Sequence, residues 1–167
     1  YAKLLHLMKK YEKSEHYYEQ AIKISRYVDT VLDYFDLLGD LKKYNRAEEI
    51  LQQCLQSEMN NELRVKTLYR YALLLQDMKN YKKSEYYYLK ALRIAPEDVD
   101  MLSRYARLLH ETERDAEAEQ WYKKALEIAP SYAPTHQNYA TFLHDTQRDD
   151  ESEEHYHLAL KADSGNA

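Results

Sequence analysis

The side chains of this 167-residue sequence with catalytic potential are seven histidines, one cysteine and twenty-nine carboxylates. His110-Glu111 opens the His-Glu-x-x-His pattern that holds zinc on one helix face, but Arg114 stands where the second histidine belongs. His155 and His157 are two residues apart, a spacing that points them to different sides of a helix. His6, His110 and His144 recur at one place in a repeating pattern, separated by a helix-pair width that no single metal ion bridges. All are expected on helix surfaces. Tyr86-x-x-x-Lys90 has the spacing of a dehydrogenase pair, but the only glycines are Gly39 and Gly165, so no glycine-rich turn exists to cradle a nucleotide. Cys54 falls where other copies of the pattern have alanine, which predicts a small packing residue and not an exposed, low-pKa nucleophile. The runs Asp149-Asp150-Glu151 and Glu153-Glu154 read as the solvated opening of a helix, favoured there by the helix dipole. The expectation is a protein that is not an enzyme, with no cofactor and no metal site.

Composition narrows the class further. A net charge of −5 disfavours a nucleic-acid partner, which calls for a basic surface that displaces counterions. The 44% hydrophobic content is too high for a disordered chain. No apolar run approaches the length that spans a membrane. A lone cysteine allows no internal disulfide and fits a reducing compartment, here taken as the cytoplasm. The opening Tyr1-Ala2-Lys3 has no signal-peptide pattern and reads as a piece of something longer.

The elements that would position these side chains follow from an internal repeat. Tyr1-Ala-Lys-Leu-Leu5 recurs as Tyr34-Phe-Asp-Leu-Leu38, Tyr71-Ala-Leu-Leu-Leu75, Tyr105-Ala-Arg-Leu-Leu109 and Tyr139-Ala-Thr-Phe-Leu143. The starts lie 33, 37, 34 and 34 residues apart. A second string follows each at a fixed offset: Ser14 to Ala21, Ala47 to Cys54, Ser84 to Ala91, Ala118 to Ala125 and Ser152 to Ala159. Four of these five read small-Glu-x-aromatic-Tyr-x-x-Ala, with His155 counted as aromatic. Both strings have helical spacing, so each unit is two antiparallel helices. First helices should end near Met8, Leu41, Met78, Thr112 and Thr146. Second helices should begin near Tyr11, Tyr44, Tyr81, Asp115 and Asp149, with Asn45, Asn80, Asp115 and Asp149 as N-caps. The extra residues in Ser57–Arg64 predict an added turn on the next helix, capped by Asn60 or Asn61. The repeats divide as 1–27 (partial), 28–64, 65–98, 99–132 and 133–167.

This pattern resembles the tetratricopeptide repeat, whose period is 34 and whose pattern runs W-x₂-L-G-x₂-Y, then A-x₃-F, then P. Val31, Leu68, Leu102 and His136 stand where the family has its early Trp, and the family's Gly is Ala in four copies and Phe35 in one. The family aromatic on the second helix is Tyr18, Tyr88, Tyr122 and Tyr156, and becomes Leu51 in the second copy. Small residues at these contacts let helices approach closely. Phe35 together with Leu51 therefore predicts a volume swap, with Phe35 filling the space that tyrosine fills elsewhere. A likeness to the half-a-tetratricopeptide repeat of RNA-processing scaffolds rests only on Tyr139-Ala-Thr-Phe142, with His136 and Leu143 in place of that family's Trp and Glu.

The resemblance implies an all-α, right-handed α-solenoid of stacked hairpins, a superhelix whose first helices line a concave groove. Its implied function is a scaffold binding protein or peptide segments in that groove. The alternatives are a docking array of a larger enzyme such as a glycosyltransferase, or an RNA-processing scaffold. Periodicity assigns to the groove Asp29, Leu32, Asp33, Asp36 and Asp40, then Lys66, Tyr69, Arg70, Leu73 and Gln76. The later repeats add Ser103, Arg104, Arg107 and His110, then Gln137, Asn138, Thr141 and His144. The basic band Lys66, Arg70, Arg104 and Arg107 could grip an acidic segment, with Tyr69, Leu73, His110 and Asn138 beside it; the competing reading is internal pairing, for example of Asp36 with Arg70. Chaperone-binding members hold a terminal carboxylate with Lys, Asn, Asn, Lys and Arg. Lys66 and Arg70 match the last two, but Asp33 replaces the central Asn, so that clamp is not expected. Uncapped terminal repeats predict end-to-end self-association, since terminal repeats need a polar outer face.

Overall fold

Alternation of apolar stripes with short polar breaks leaves the chain only one way to bury its hydrophobic surface, which is to pile helix hairpins against one another. The computed structural model describes residues 1–24, 28–56 and 60–164. Among the described residues there are ten helices and no strand: α1 (Ala2–Leu7), α2 (Tyr11–Ile24), α3 (Val28–Asp40), α4 (Tyr44–Gln56), α5 (Asn61–Asp77), α6 (Tyr81–Ile94), α7 (Val99–Glu111), α8 (Asp115–Ile128), α9 (Ala133–Asp145) and α10 (Asp149–Ser164). They form two compact units, residues 1–94 and 95–167. No described helix is long and apolar enough to cross a membrane.

The second helices start at the five predicted residues. The caps differ from expectation. Asp115 and Asp149 are the first helical residues, not caps, and their carboxylates accept from Nδ1 of His110 (2.7 Å) and His144 (2.8 Å) across the turn. Asn45 is the second residue of α4. The expected added turn on α5 is present: Asn60 caps it, its side chain accepting from the Leu63 amide at 2.8 Å. The rest of that extra segment, Ser57 to Met59, lies outside the described residues, as does the final Gly165 to Ala167.

Every hairpin turn is built alike. The residue after the helix end takes φ between 54° and 63° at Lys9, Lys42, Lys79, Glu113 and Gln147. In each turn two amides return to the helix, for example Glu113 to the His110 carbonyl (2.9 Å) and Arg114 to the Leu109 carbonyl (2.9 Å). This is the Schellman closure, made here without glycine.

Two contacts define a repeat. Within hairpins, the first-helix tyrosine meets an aromatic of the second helix edge-on: Tyr1 with Tyr17 (4.9 Å), Tyr71 with Tyr87 (4.9 Å) and Tyr105 with Trp121 (5.1 Å). His155 takes this place beside Tyr139, at 4.6 Å. The small residues sit at the closest approach. Ser14, Ser84 and Ser152 are buried and donate to the carbonyls of Ala2, Ala72 and Ala140 at 2.7–2.8 Å. Between hairpins, the second-helix tyrosine stacks on the next first-helix tyrosine. Tyr18 lies 5.5 Å from Tyr34 in one unit, and Tyr122 lies 5.2 Å from Tyr139 in the other.

The second hairpin departs from this pattern as the volume swap requires. Phe35 and Leu51 are fully buried, and the Phe35 ring lies 6.2 Å from Tyr71, supplying the ring that a second-helix tyrosine supplies elsewhere. The cost is separation. The backbones of α3 and α4 run close at far fewer points than those of α5–α6, α7–α8 or α9–α10. Helix α3 packs on α5 much as α7 packs on α9, and there a Cβ on Gly39 would stand 3.0 Å from Leu74 Cδ1.

Candidate functional site

The candidate residues are carried by first helices, whose buried stripe leaves an opposite polar stripe. In unit 1–94, α5 presents Lys66, Tyr69, Arg70 and Leu73 on one stripe: Lys66 is exposed and the other three are half-buried. Arg70 donates to Asp36 at 3.2 Å, and Lys66 to Glu62 at 2.6 Å. The Tyr69 ring lies 5.9 Å from that of Tyr88. Along α3, Asp33 pairs with Lys3 (2.9 Å) and Asp40 with His6 (2.8 Å). The acidic helix α3 is thus zipped to Lys3 and His6 on α1 on one side and to Arg70 on α5 on the other. Asp36 has its carboxyl pushed up, because burial opposes its charge more than Arg70 supports it.

In unit 95–167, Arg104 faces Asp100 at 3.2 Å and Arg107 faces Glu111 at 3.5 Å, both one turn along α7. His110 stands between Asp115 (2.7 Å) and Asp145 (3.4 Å), its ring edge-on to Phe142 at 5.1 Å. Asn138 donates to Ser103 Oγ at 2.9 Å, which ties α9 to α7. The basic band read from the sequence is therefore internally compensated: each of its four cations has a carboxylate within 3.5 Å. Most of these pairs are exposed by a third or more, so solvent screens them and they are individually weak.

Two assignments to the open stripe need correction. Gln76 is buried and accepts from the Tyr88 hydroxyl at 3.0 Å. Ser103 is also buried, beneath Asn138. The reasons differ: Gln76 is covered by the second helix of its own hairpin through Tyr88, and Ser103 by the next first helix through Asn138, so the free stripe is narrower than an isolated amphipathic helix implies. The side chain of Asp29 lies outside the described residues.

Periodicity did not assign a role to the glutamate of the small-Glu string. Glu15 accepts from Lys43 (2.6 Å) and Glu119 from Arg148 (3.0 Å), both in the turn of the following repeat, while Glu48 accepts from Lys83 (3.4 Å) in the first turn of α6. Lys123, then Arg148 and the Tyr139 hydroxyl hold the Glu119 carboxyl down at about 2. The pairing of His136 with His155, Nδ1 to Nδ1 at 2.8 Å, was also not legible; His136 Nε2 sits 2.9 Å from the Pro130 carbonyl and must donate to it. His136 Nδ1 is then the acceptor in the neutral ring, and His155 donates. Among the described residues no three His, Cys, Asp or Glu side chains cluster as metal ligands do.

Tetratricopeptide repeat family models match residues 63–131 and 1–27, together more than half of the sequence. The chain belongs to the tetratricopeptide repeat family. No curated protein matches it by sequence. Among solved structures it is similar to MamA, with 14% identity, 99% of this chain and 95% of that one covered, and a TM-score of 0.71. A MamA from Desulfovibrio magneticus RS-1 gives 16% identity, coverage of 98% and 92%, and a TM-score of 0.70. YrrB, described as a tetratricopeptide protein with an unusual peptide-binding site, gives 16% identity, coverage of 96% and 82%, and a TM-score of 0.62. At such identities the likeness shows the fold, an all-α solenoid of tetratricopeptide hairpins, and this fold supports a protein-interaction scaffold.

Proposed function

We propose that the chain is a non-catalytic, cytoplasmic scaffold whose first helices bind acidic peptide segments. The residues carrying this reading are Lys66, Tyr69, Arg70 and Leu73 in one unit, and Arg104, Arg107, His110 and Asn138 in the other. The observation that supports it most is the exposure of the ion pairs. Arg70 and Asp36 are each more than two-fifths exposed, so an incoming carboxylate displaces a weak internal partner and not a buried one. An arginine fork engages a peptide carboxylate through two parallel bonds, which the single 3.2 Å contact to Asp36 does not provide. Tyr69 precedes Arg70 and Leu73 lies one turn beyond it, and both offer apolar contact to neighbouring peptide side chains.

Binding of a fluorescent Asp/Glu-rich peptide, followed by anisotropy at low salt, tests the reading. Arg70→Glu and Arg104→Glu should each lower affinity about tenfold, while Asp36→Asn, which frees Arg70, should raise it. Affinity indifferent to all three changes would remove these helices from the binding site.

A further inference from the structure

Two imidazoles meet inside the α9–α10 hairpin, and the bonds they make limit how many protons the pair can carry. His136 on α9 is 4% exposed and His155 on α10 is half-buried. Their Nδ1 atoms lie 2.8 Å apart, and His136 Nε2 donates to the Pro130 carbonyl at 2.9 Å. The chain of bonds therefore runs one way, from His155 Nδ1–H to His136 Nδ1 and from His136 Nε2–H to the carbonyl. The ring nitrogen left without a proton or a donor is His155 Nε2. A first added proton binds there and leaves both bonds in place. A second has only His136 Nδ1 to bind. It sets two N–H donors against each other and puts two charged rings at a centroid separation of 5.1 Å.

The surroundings do little to offset that second charge. Glu154 and Glu151 on α10 favour a charged His155 and Arg148 opposes it; both glutamates are exposed, and Glu151 holds Arg148 at 2.7 Å. From α8, Glu119 bonds Arg148 (3.0 Å) and the Tyr139 hydroxyl (3.0 Å). From α9, the Tyr139 ring lies 4.6 Å from that of His155. Asp98, Asp100 and Arg104 at the start of α7 act on Tyr132, in the loop that carries Pro130. Burial first, then the charge of His136, holds His155 below the ordinary histidine range. Hairpins α5–α6 and α7–α8 avoid the conflict. Their equivalent positions carry Leu68 with Tyr87 and Leu102 with Trp121, none of which gains a proton near neutral pH. Tyr87 and Trp121 are half-buried like His155, so its exposure is that of an inner hairpin.

We propose that His136 and His155 form an acid-released clasp, which holds α10 to α9 with up to one added proton and lets it go when both rings are charged. Once apart, each ring takes a proton freely, so opening is coupled to proton uptake. With His155 held low in the fold, the clasp's contribution is complete above the ordinary histidine value of 6.5 and is lost as pH falls below it. That window lies above the one in which Glu119 acts. The hairpin α9–α10 is thereby the acid-labile one of unit 95–167.

Amide hydrogen exchange from about pH 8 to about pH 5 tests this, with α8 as the reference inside the same unit. Protection of α10 relative to α8 should fall about tenfold over that range. The double variant His136→Leu with His155→Tyr has the side chains that Leu68 and Tyr87 supply in α5–α6, and its relative protection should stay level. His136→Leu alone leaves one titrating ring, so its fall should be shallower than that of the unaltered chain. Circular dichroism at neutral pH checks that each variant keeps its helices. Nitrogen-15 spectra of the imidazoles at neutral pH should show His136 protonated at Nε2 and bare at Nδ1. Relative protection that stays level in the unaltered chain, or that falls as steeply in either variant, overturns the proposal. So does a His136 protonated at Nδ1 at neutral pH.

Discussion

The hairpins α3–α4 and α7–α8 perform the same task with opposite volumes. In α7–α8, alanines at 106 and 118 let the two backbones close, and Tyr122 reaches out to stack on the next first helix. In α3–α4, Phe35 replaces the alanine, the backbones stand apart, and the ring offered to Tyr71 comes from the first helix. Leu51, where Tyr122 stands in the other, makes room. The comparison teaches that the repeat conserves the ring presented to its neighbour, not the helix that presents it. Total core volume is held while its source moves, which packed interiors tolerate far better than enlargement alone.

The sharpest way to break this account is to build the swap in the closed hairpin. Ala106→Phe alone overpacks a fully buried position and should destabilise by about 1–3 kcal/mol. Tyr122→Leu alone leaves a cavity and should cost about 2–4 kcal/mol. The two together should cost less than their sum by at least about 1 kcal/mol, because the phenylalanine fills the space the tyrosine vacates. Urea unfolding of the four chains measures the coupling. Strict additivity would mean that the two positions do not share a volume.

The glutamates of the two hairpins offer a second comparison. Glu119 is bonded by Arg148 (3.0 Å), Lys123 (2.9 Å) and the Tyr139 hydroxyl (3.0 Å), whereas Glu48 has Lys83 at 3.4 Å. With its folded-state carboxyl held at about 2 against 4.5 for the ordinary group, Glu119 favours the charged form in the fold. Its stabilisation is complete above pH 4.5 and is lost as pH falls from there towards 2. Allowing for solvent screening, it amounts to about 1–2 kcal/mol. Glu119→Gln should remove that acid-sensitive part of stability between those pH values, as urea unfolding across that range would measure.

The serine contact separates the hairpins by distance alone. Ser84 donates to Ala72 across a closed hairpin at 2.7 Å. Ala118→Ser should form the same bond to Ala106 and gain about 0.5–1 kcal/mol. Ala47→Ser, in the hairpin whose backbones run close at fewer points, should find no such partner across the hairpin and gain nothing. Equal effects at 47 and 118 in thermal unfolding would mean that the α3–α4 separation is too small to matter.

Much of this was legible because helical periodicity and the recurring tyrosines are local signals. The starts at Tyr11, Tyr44, Tyr81, Asp115 and Asp149 and the Phe35–Leu51 exchange follow from spacing and volume. What stayed hidden depends on neighbours. Gln76 and Ser103 look polar and free on their own helices but are covered by other ones. The compensation of Lys66, Arg70, Arg104 and Arg107, by contrast, was legible: three of the pairs lie one turn apart on a single helix, and Asp36 with Arg70 is the internal pair expected from the sequence. His136 and His155 are nineteen residues apart and meet only because α9 and α10 fold back on each other. Asp115 and Asp149 had the chemistry of caps, but a histidine one turn back competes for the same oxygen.

The turns were hidden for a different reason, and they supply the gentlest test. A Schellman closure is normally advertised by glycine, which reaches positive φ without a Cβ clash. Here Lys42 in the open hairpin (φ 54°) and Glu113 in the closed one (φ 63°) hold that conformation as ordinary L-residues. Such a residue carries about 1–2 kcal/mol of steric cost, part of which glycine gives back through its greater freedom in the unfolded chain. Lys42→Gly and Glu113→Gly should therefore each stabilise by about 0.5–1 kcal/mol. The same two return bonds close both turns, so the gains should match. A gain confined to Glu113 would place part of the α3–α4 separation in its turn and not in Phe35, and would shift the cause from side-chain volume to backbone geometry.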